Sequence, residues 1–198
     1  MFKYIYLIVL FLAILNRLIV ITKTLKMKKI KGKVYAQWIT KLVFIFYVLV
    51  FFAPPIEFFI VKRQINYYIS VTAFLIYIIG MILWLWAMKT LGKFWSTEIE
   101  IRDNHPLIKK GPYKYMRHPH YLFIFCELFG LPLIPNAYYS LIVIAIIFIP
   151  LIVLRTVYEE KAMIEKFSNE YLKYKKEVWA FFPIPIFKLG VKNETEQR

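Results

Sequence analysis

A short basic motif, Arg117-His118-Pro119, stands directly before an apolar segment and contains residue types that bind anions. Gly111-Pro112 just upstream favours a turn. Pro119 fits the first turn of a helix, where its missing N–H costs nothing. Arg117 and His118 would then lie at a helix N-terminus, where free N–H groups and the helix dipole favour negative charge. The motif predicts a carboxylate site, and the alternative is an ordinary basic cluster with a helix-starting proline.

A second group of charged residues, Arg155, Glu159 and Glu160, follows the last apolar segment. Arg155 and Glu159 are one helical turn apart and share a face. A surface ion pair is one interpretation, and such pairs contribute little to stability. Arg155, however, follows an uninterrupted apolar run, at the depth where the polar head of a lipid would lie. There an arginine can hold a carboxylate through two hydrogen bonds, and a neighbouring carboxylate can bind an ammonium group.

Long apolar segments must position both groups. The chain has 198 residues, of which 60% are hydrophobic, whereas a soluble domain is usually about 45–50% apolar. These residues fall in long blocks, so we predict an all-α integral membrane protein with about five transmembrane helices. The predicted spans are approximately 2–21, 38–60, 67–88, 121–133 and 138–154. The fourth is short for a bilayer and needs tilt or local thinning.

The basic residues lie mainly between these segments and give the chain a net charge of +15. They alternate between the two ends of the predicted spans, which places the N-terminus outside and the C-terminus in the cytoplasm. We expect a multi-pass protein of the inner membrane in a prokaryote, or of the endoplasmic reticulum in a eukaryote. The basic faces favour membrane lipids as partners, and no groove-reading motif supports nucleic acid.

The organisation predicted along the chain has three parts. Residues 1–88 form the N-terminal transmembrane region, 89–183 hold the candidate site, and 184–198 form a tail. Residues 89–117 are too many for a plain connection, and loops of this length are usually functional or disordered. After the fifth span, apolar residues recur at spacings of three and four between Ile164 and Val178. This pattern predicts a C-terminal amphipathic cytoplasmic helix that lies on the membrane or packs on the 89–117 segment.

Several of these residues together resemble a known family. The relevant motifs are Leu91-Gly92, Trp95, His105-x-Leu107-Ile108, Gly111-x-Tyr113, Arg117-His118-Pro119-x-Tyr121, Arg155-x-x-x-Glu159-Glu160 and Phe167-x-x-Glu170-Tyr171-x-x-Tyr174. In this order and spacing, residues 91–183 resemble the C-terminal half of isoprenylcysteine carboxyl methyltransferases, in particular their prokaryotic relatives. The Arg-His-Pro motif alone is also similar to phospholipid N-methyltransferases and sterol reductases. Two positions depart from the family, which often has Gly at Ser168 and a small residue at His120.

The resemblance implies a methyltransferase that uses S-adenosylmethionine and acts on a lipophilic acceptor from the bilayer. It implies that Arg155 positions the acceptor and that Glu159 holds the amino-acid end of the cofactor, so these two are the predicted catalytic residues. The predicted cofactor-binding residues are His105, Pro106, Leu107, Ile108, Tyr113, His118, Pro119, His120, Tyr121 and Glu159. A carboxylate acceptor is already ionised near neutral pH, so alignment and desolvation suffice without a general base.

Three alternatives remain open from the sequence: an N-methyltransferase of an amine lipid, a membrane reductase with a nicotinamide cofactor, and a non-catalytic membrane protein. No glycine-rich strand–helix turn of the Rossmann type is present. The histidines do not have the spacing of a zinc site, so no metal is predicted. The acceptor group itself, a carboxylate, a hydroxyl or an amine, is not identified.

Four further residues lie within or beside the apolar segments. Glu127 is predicted to be either functional or a hydrogen-bonded structural group. Glu57, after Pro54-Pro55, is predicted to lie at a kinked, water-accessible helix end. Arg17 is predicted to extend toward the cytoplasm, and Cys126 to be a small buried hydrophobic residue.

Overall fold

Five α-helices dominate the computed structural model, which describes residues 1–27, 32–102 and 104–181. They are α1 (Phe2–Met27), α2 (Gln37–Ile60), α3 (Tyr67–Leu91), α4 (Pro119–Leu133) and α5 (Tyr138–Glu177). Of these, α1, α2, α3 and α5 are long and apolar enough to cross a membrane. Helix α4, with 15 residues, is shorter. The prediction of an all-α multi-pass membrane protein is confirmed for the described part of the chain.

The outer faces of these helices carry large apolar side chains. Phe11 on α1 and Ile45 on α2 each expose 63% of their surface. The interior is also apolar and combines aliphatic, small and aromatic residues, such as Ile144, Ala73 and Phe148. A water-soluble protein rarely exposes apolar surface on this scale, so the outward faces are suited to lipid.

Helices α3 and α4 pack closely because glycines lie at their contact. A Cβ at Gly80 would lie 2.5 Å from the Cβ of Cys126, and a Cβ at Gly130 would lie 3.0 Å from the Cβ of Tyr77. Small residues let membrane helices approach each other where no hydrophobic force drives them together. This contact holds α4, and with it the Arg-His-Pro motif, against the longer α3.

The turn between α4 and α5 is tied to α2 and α3 by polar groups. Asn136 has a positive φ of 58°, and its side-chain amide donates to Ser70 Oγ at 3.0 Å. The carboxylate of Glu57 accepts from the backbone N–H groups of Tyr139 at 3.2 Å and Ser140 at 2.6 Å. Glu57 therefore caps the first turn of α5. The prediction of a water-accessible Glu57 was wrong, because these donors hold it in a buried position.

The sequence analysis did not predict a small antiparallel sheet at the opposite end of the bundle. Strand β1 (Gly32–Tyr35) pairs with β2 (Ile99–Arg102), with Gly32 opposite Arg102 and Tyr35 opposite Ile99. Two 3₁₀ turns, Gly92–Phe94 and Gly111–Lys114, complete the segment between α3 and α4. The predicted functional loop 89–117 is thus ordered by pairing with the segment that follows α1.

The predicted amphipathic helix is the far end of α5, which bends at Ser168. Ser168 has φ 46° and ψ −123°, a backbone conformation that glycine adopts more readily than other residues. Beyond the bend, Tyr171 and Tyr174 are buried, and the Tyr174 hydroxyl donates to the carbonyl of Tyr113 at 2.5 Å. The end of α5 therefore packs on the loop between α3 and α4. The predicted tail, 184–198, lies outside the described residues.

Candidate active site

The start of α4 lies against α5, so the two groups of charged residues meet. His118 directly precedes the first turn of α4 and is buried. Its Nδ1 lies 3.6 Å from Glu159 Oε1, and its Nε2 lies 3.3 Å from Glu160 Oε1. Residues that are far apart in the sequence thus form one polar cluster beneath the apolar part of the bundle.

The two carboxylates favour the protonated form of His118. Burial lowers its pKa, but hydrogen bonds and negative charge from Glu159 and Glu160 outweigh burial and raise the pKa above its usual value. Glu160 also pairs with Arg117 at 2.8 Å and Lys175 at 2.5 Å. Since Glu160 is surrounded by cations, Glu159, with 37% of its side chain exposed, is the carboxylate left for a ligand.

The backbone N–H groups of the two residues before α4 are not available to an anion. The N–H of Arg117 donates to the carbonyl of Trp179 at 2.7 Å, and the N–H of His118 donates to that of Ala180 at 2.8 Å. The chain after α5 therefore satisfies the donors that were predicted to bind a carboxylate. A distant segment thus returns to cover these two donors, and the predicted carboxylate site stays a prediction. Phe181 packs on the same side, with its ring centroid 5.9 Å from that of His118.

Arg155 is held by three hydrogen bonds. It donates to the Tyr121 hydroxyl at 2.9 Å, to Thr40 Oγ1 at 3.1 Å and to the carbonyl of Thr97 at 2.5 Å. The Tyr121 hydroxyl in turn donates to Glu159. Arg155 and Glu159 are therefore joined through Tyr121, and Arg155 is only 6% exposed. Two N–H groups of the guanidinium, one on each terminal nitrogen, remain for another acceptor.

A polar cavity lies between the 89–117 segment and α5, and we call it the donor-side cavity. Its wall includes His105, whose ring stacks on Phe94 with centroids 4.6 Å apart. Neither ring nitrogen of His105 has a hydrogen-bond partner among the described residues. Burial, followed by the charges of Lys166 and Arg102, lowers the pKa of His105 to about 4. The neutral ring thus offers one donor and one acceptor to a ligand.

A second, apolar cavity of about 270 Å³ lies between α1, α2, α4 and α5, and we call it the bilayer-side cavity. Leu18, Phe44 and Phe52 line it and expose about half of their surfaces to the outside of the bundle. His120 and Arg155 form its polar part toward the His118 cluster. The cavity is therefore accessible from the lipid-facing surface and ends at the candidate site.

A small connecting cavity lies between the other two. It shares Tyr113, His118 and Glu159 with the donor-side cavity, and it shares His120 and Arg155 with the bilayer-side cavity. A polar compartment and an apolar compartment thus meet at the start of α4.

The predicted site residues are distributed over these three cavities. The donor-side cavity is lined by His105, Leu107, Ile108, Tyr113, His118 and Glu159. The connecting cavity is lined by Tyr113, His118 and Glu159, and in addition by Pro119, His120, Tyr121 and Arg155. Pro106 is exposed and stands outside these walls. The sequence analysis missed Phe94, Ser96, Ala162 and Met163 as wall residues. The last two follow Glu159 at the i+3 and i+4 spacing of a helix, which was the available signal.

The fold and the cavities define a multi-pass helical membrane protein with a polar pocket joined to a bilayer-facing one. The family model for isoprenylcysteine carboxyl methyltransferases matches residues 72–165. This region runs from α3 into the part of α5 that is predicted to lie in the cytoplasm. Over this region the chain is similar to that family, which is the family that the sequence motifs resemble.

Three curated relatives match the chain over part of their length. Protein-S-isoprenylcysteine O-methyltransferase of Saccharomyces cerevisiae is 34% identical over 99 residues, which cover 49% of this chain and 41% of the yeast protein. The uncharacterized protein YpbQ of Bacillus subtilis is 38% identical over 80 residues, 40% of this chain and 48% of that protein. An uncharacterized protein of Haemophilus influenzae is 34% identical over 98 residues, which cover 49% of this chain and 56% of that protein. The matched regions span about half the length of these relatives.

Proposed function

We propose that this chain uses S-adenosylmethionine to methylate a carboxylate on a lipophilic acceptor taken from the bilayer. The observation that carries the proposal is the connecting cavity, which shares His118 with the donor-side cavity and shares His120 and Arg155 with the bilayer-side cavity. A water-soluble donor and a lipophilic acceptor can then reach the connecting cavity from opposite sides. The match of residues 72–165 to the model of the carboxyl methyltransferase family supports the same reaction.

The donor-side cavity is suited to S-adenosylmethionine. The unpartnered nitrogens of His105 offer hydrogen bonds to a base or a ribose. The partly exposed carboxylate of Glu159 can accept from an ammonium group, and His118 lies beside it at 3.6 Å and orients it. S-adenosylmethionine supplies, when bound, a methyl group on a positively charged sulfur. The protein would contribute alignment and exclusion of water at the connecting cavity.

Arg155 is suited to hold the acceptor. Its guanidinium stays protonated at any physiological pH, and its remaining N–H groups border the bilayer-side and connecting cavities. A carboxylate bound there would be ionised and ready to attack without losing a proton. An amine acceptor would instead be repelled by the same guanidinium, so the electrostatics favour an acid.

The test combines donor binding with product chemistry. Calorimetry with S-adenosylmethionine on purified protein is expected to show binding that Glu159→Gln weakens about tenfold or more, as expected for loss of a charged hydrogen bond. Glu170→Gln is the matched control, because Glu170 is an exposed carboxylate on the same helix, paired with Lys109 at 2.9 Å. Labelled donor and a lipid extract should yield a base-labile ester. A base-stable methylamine, or equal donor affinity in both variants, would contradict the proposal.

A further inference from the structure

An ion pair lies inside the bundle, beside the bilayer-side cavity. Arg17 of α1 pairs with Glu127 of α4, and both contact the hydroxyl of Tyr47 on α2. Glu127 is fully buried. The prediction that Arg17 extends toward the cytoplasm was wrong, because this carboxylate holds its guanidinium within the apolar part of the protein. Charged groups at such depth are costly and usually serve a function.

Arg17 is also a wall residue of the bilayer-side cavity. Its guanidinium carbon lies 4.5 Å from the ring centroid of Tyr47 and 5.2 Å from that of Phe123. Nε and Nη2 donate to Glu127 and Tyr47, whereas Nη1 has no hydrogen bond to any described residue. The side chain is 17% exposed and lines the cavity. Arg17 therefore keeps an unused donor nitrogen on a side chain that lines the cavity.

This donor lies deeper in the bundle than Arg155. Arg155 is bonded to Tyr121, and Glu127 follows Tyr121 by six positions in α4, which is about 9 Å along a helix axis. The cavity thus has two cationic points, one at its polar end and one beside the path of an acceptor chain. Most other wall residues, such as Ile14, Val43 and Ile124, are apolar.

We propose that Arg17 is a specificity-determining residue that selects acceptor acids with a second oxygen-bearing group in mid-chain. The acid group would contact Arg155, and a hydroxyl or carbonyl farther along the chain would accept from Arg17 Nη1. This inference rests on the proposed function for the role of Arg155. It also gives α1, which lies outside the family-matched residues 72–165, a direct part in acceptor choice.

A purely structural ion pair is the competing account. It would attach α1 to α4 and would not distinguish one acceptor from another. The two accounts therefore differ in selectivity between acceptors, whereas both allow a loss of stability when the pair is removed. A buried ion pair can often be replaced by apolar residues of similar size without loss of folding, which makes the comparison practical.

The experiment measures binding of labelled octadecanoate and 8-hydroxyoctadecanoate to the full chain in lipid nanodiscs, without methyl donor. The parent should bind the hydroxy acid about tenfold more tightly, the usual effect of one hydrogen bond to a charged donor. Arg17→Met/Glu127→Leu should bring this ratio to about one. Arg17→Lys, which keeps a cation beside Glu127 but lacks the forked guanidinium, should also reduce the ratio and serves if the double variant does not fold. Arg155→Gln should weaken both acids equally.

A ratio near one in the parent, or an unchanged ratio in the Arg17 variants, would overturn the inference. The proposed function is examined separately by adding labelled S-adenosylmethionine to the same samples. If neither acid is methylated while the binding ratio depends on Arg17, the assigned reaction fails and the selective site remains. If both acids are methylated at equal efficiency in parent and variants, the reaction holds and the role of Arg17 is rejected.

Discussion

The hydroxyl of Tyr121 donates to the carboxylate of Glu159 and so links the start of α4 to α5. The same oxygen accepts from Arg155 Nε at 2.9 Å. One side chain therefore orients both residues that the sequence predicted to be catalytic. Their relative position depends on a phenol from another helix, because a direct ion pair between them is not found among the described residues.

Replacing Tyr121 with Phe should disturb the positions of both Arg155 and Glu159. Arg155 Nε would lose its acceptor in a buried position, which costs about 1–3 kcal/mol. We expect a fall of roughly tenfold to a hundredfold in methyl-transfer kcat/KM, since a hydrogen bond of this cost corresponds to such a factor. Steady-state kinetics with both substrates varied would measure it. Tyr115→Phe, on an exposed residue of the preceding turn, is the control, and equal activity of the two variants would refute the positioning role.

The raised pKa of His118 predicts a pH-dependent stability. Its folded pKa lies above the unfolded value of about 6.5, because Glu159 and Glu160 outweigh burial. The stabilisation is complete below that unfolded pKa and is lost as pH rises through the folded one. As pH rises above about 6.5, the Tm of the parent should therefore fall by more than that of His118→Gln.

His105 provides the matched control for this pH profile. Its pKa is lowered to about 4, so it stays neutral across the same range. His105→Gln should keep the slope of the parent, while it weakens binding of S-adenosylmethionine. A His118→Gln profile parallel to that of the parent would show that His118 is not the titrating group.

Gly80→Ala should destabilise the contact between α3 and α4. The new Cβ would meet the Cβ of Cys126 at 2.5 Å, and overpacking of this kind costs about 1–3 kcal/mol. Adding Cys126→Gly removes the opposing atom and should recover part of the loss, less the cost of a helical glycine. Thermal unfolding in detergent would compare the variants. Ile79→Ala, on the exposed face, should change Tm little, and a similar loss there would argue against a specific contact.

The basic end of the bundle is expected to face the cytoplasm. In a Cys126→Ser background, Lys62→Cys and Lys173→Cys place single thiols at opposite ends, and both positions are exposed. A membrane-impermeant maleimide applied to intact cells should label position 62 and not position 173, with both labelled after lysis. The reverse pattern would invert the orientation that the charge distribution predicts.

The long helices were predictable from the sequence because uninterrupted apolar segments long enough to span a bilayer are typical of transmembrane helices. The sheet was not, since Gly32–Tyr35 has only four residues and gains its order from Ile99–Arg102, far along the chain. The position of Arg17 was mispredicted for a similar reason, because its partner Glu127 is 110 positions away. The sequence analysis predicted those cavity residues that belong to a recognisable sequence motif. Wall residues such as Ser96 and Met163 carry no motif and are defined only by the folded chain.

The two carbonyls that cover the start of α4 set a boundary for any shortened version of this protein. They belong to Trp179 and Ala180, so a chain trimmed before these positions would leave main-chain N–H groups bare beside His118. Water, or a stray anion from the buffer, would then fill the place of the missing backbone. Affinity handles are best attached ahead of α1 or beyond Phe181, where they leave this seal intact.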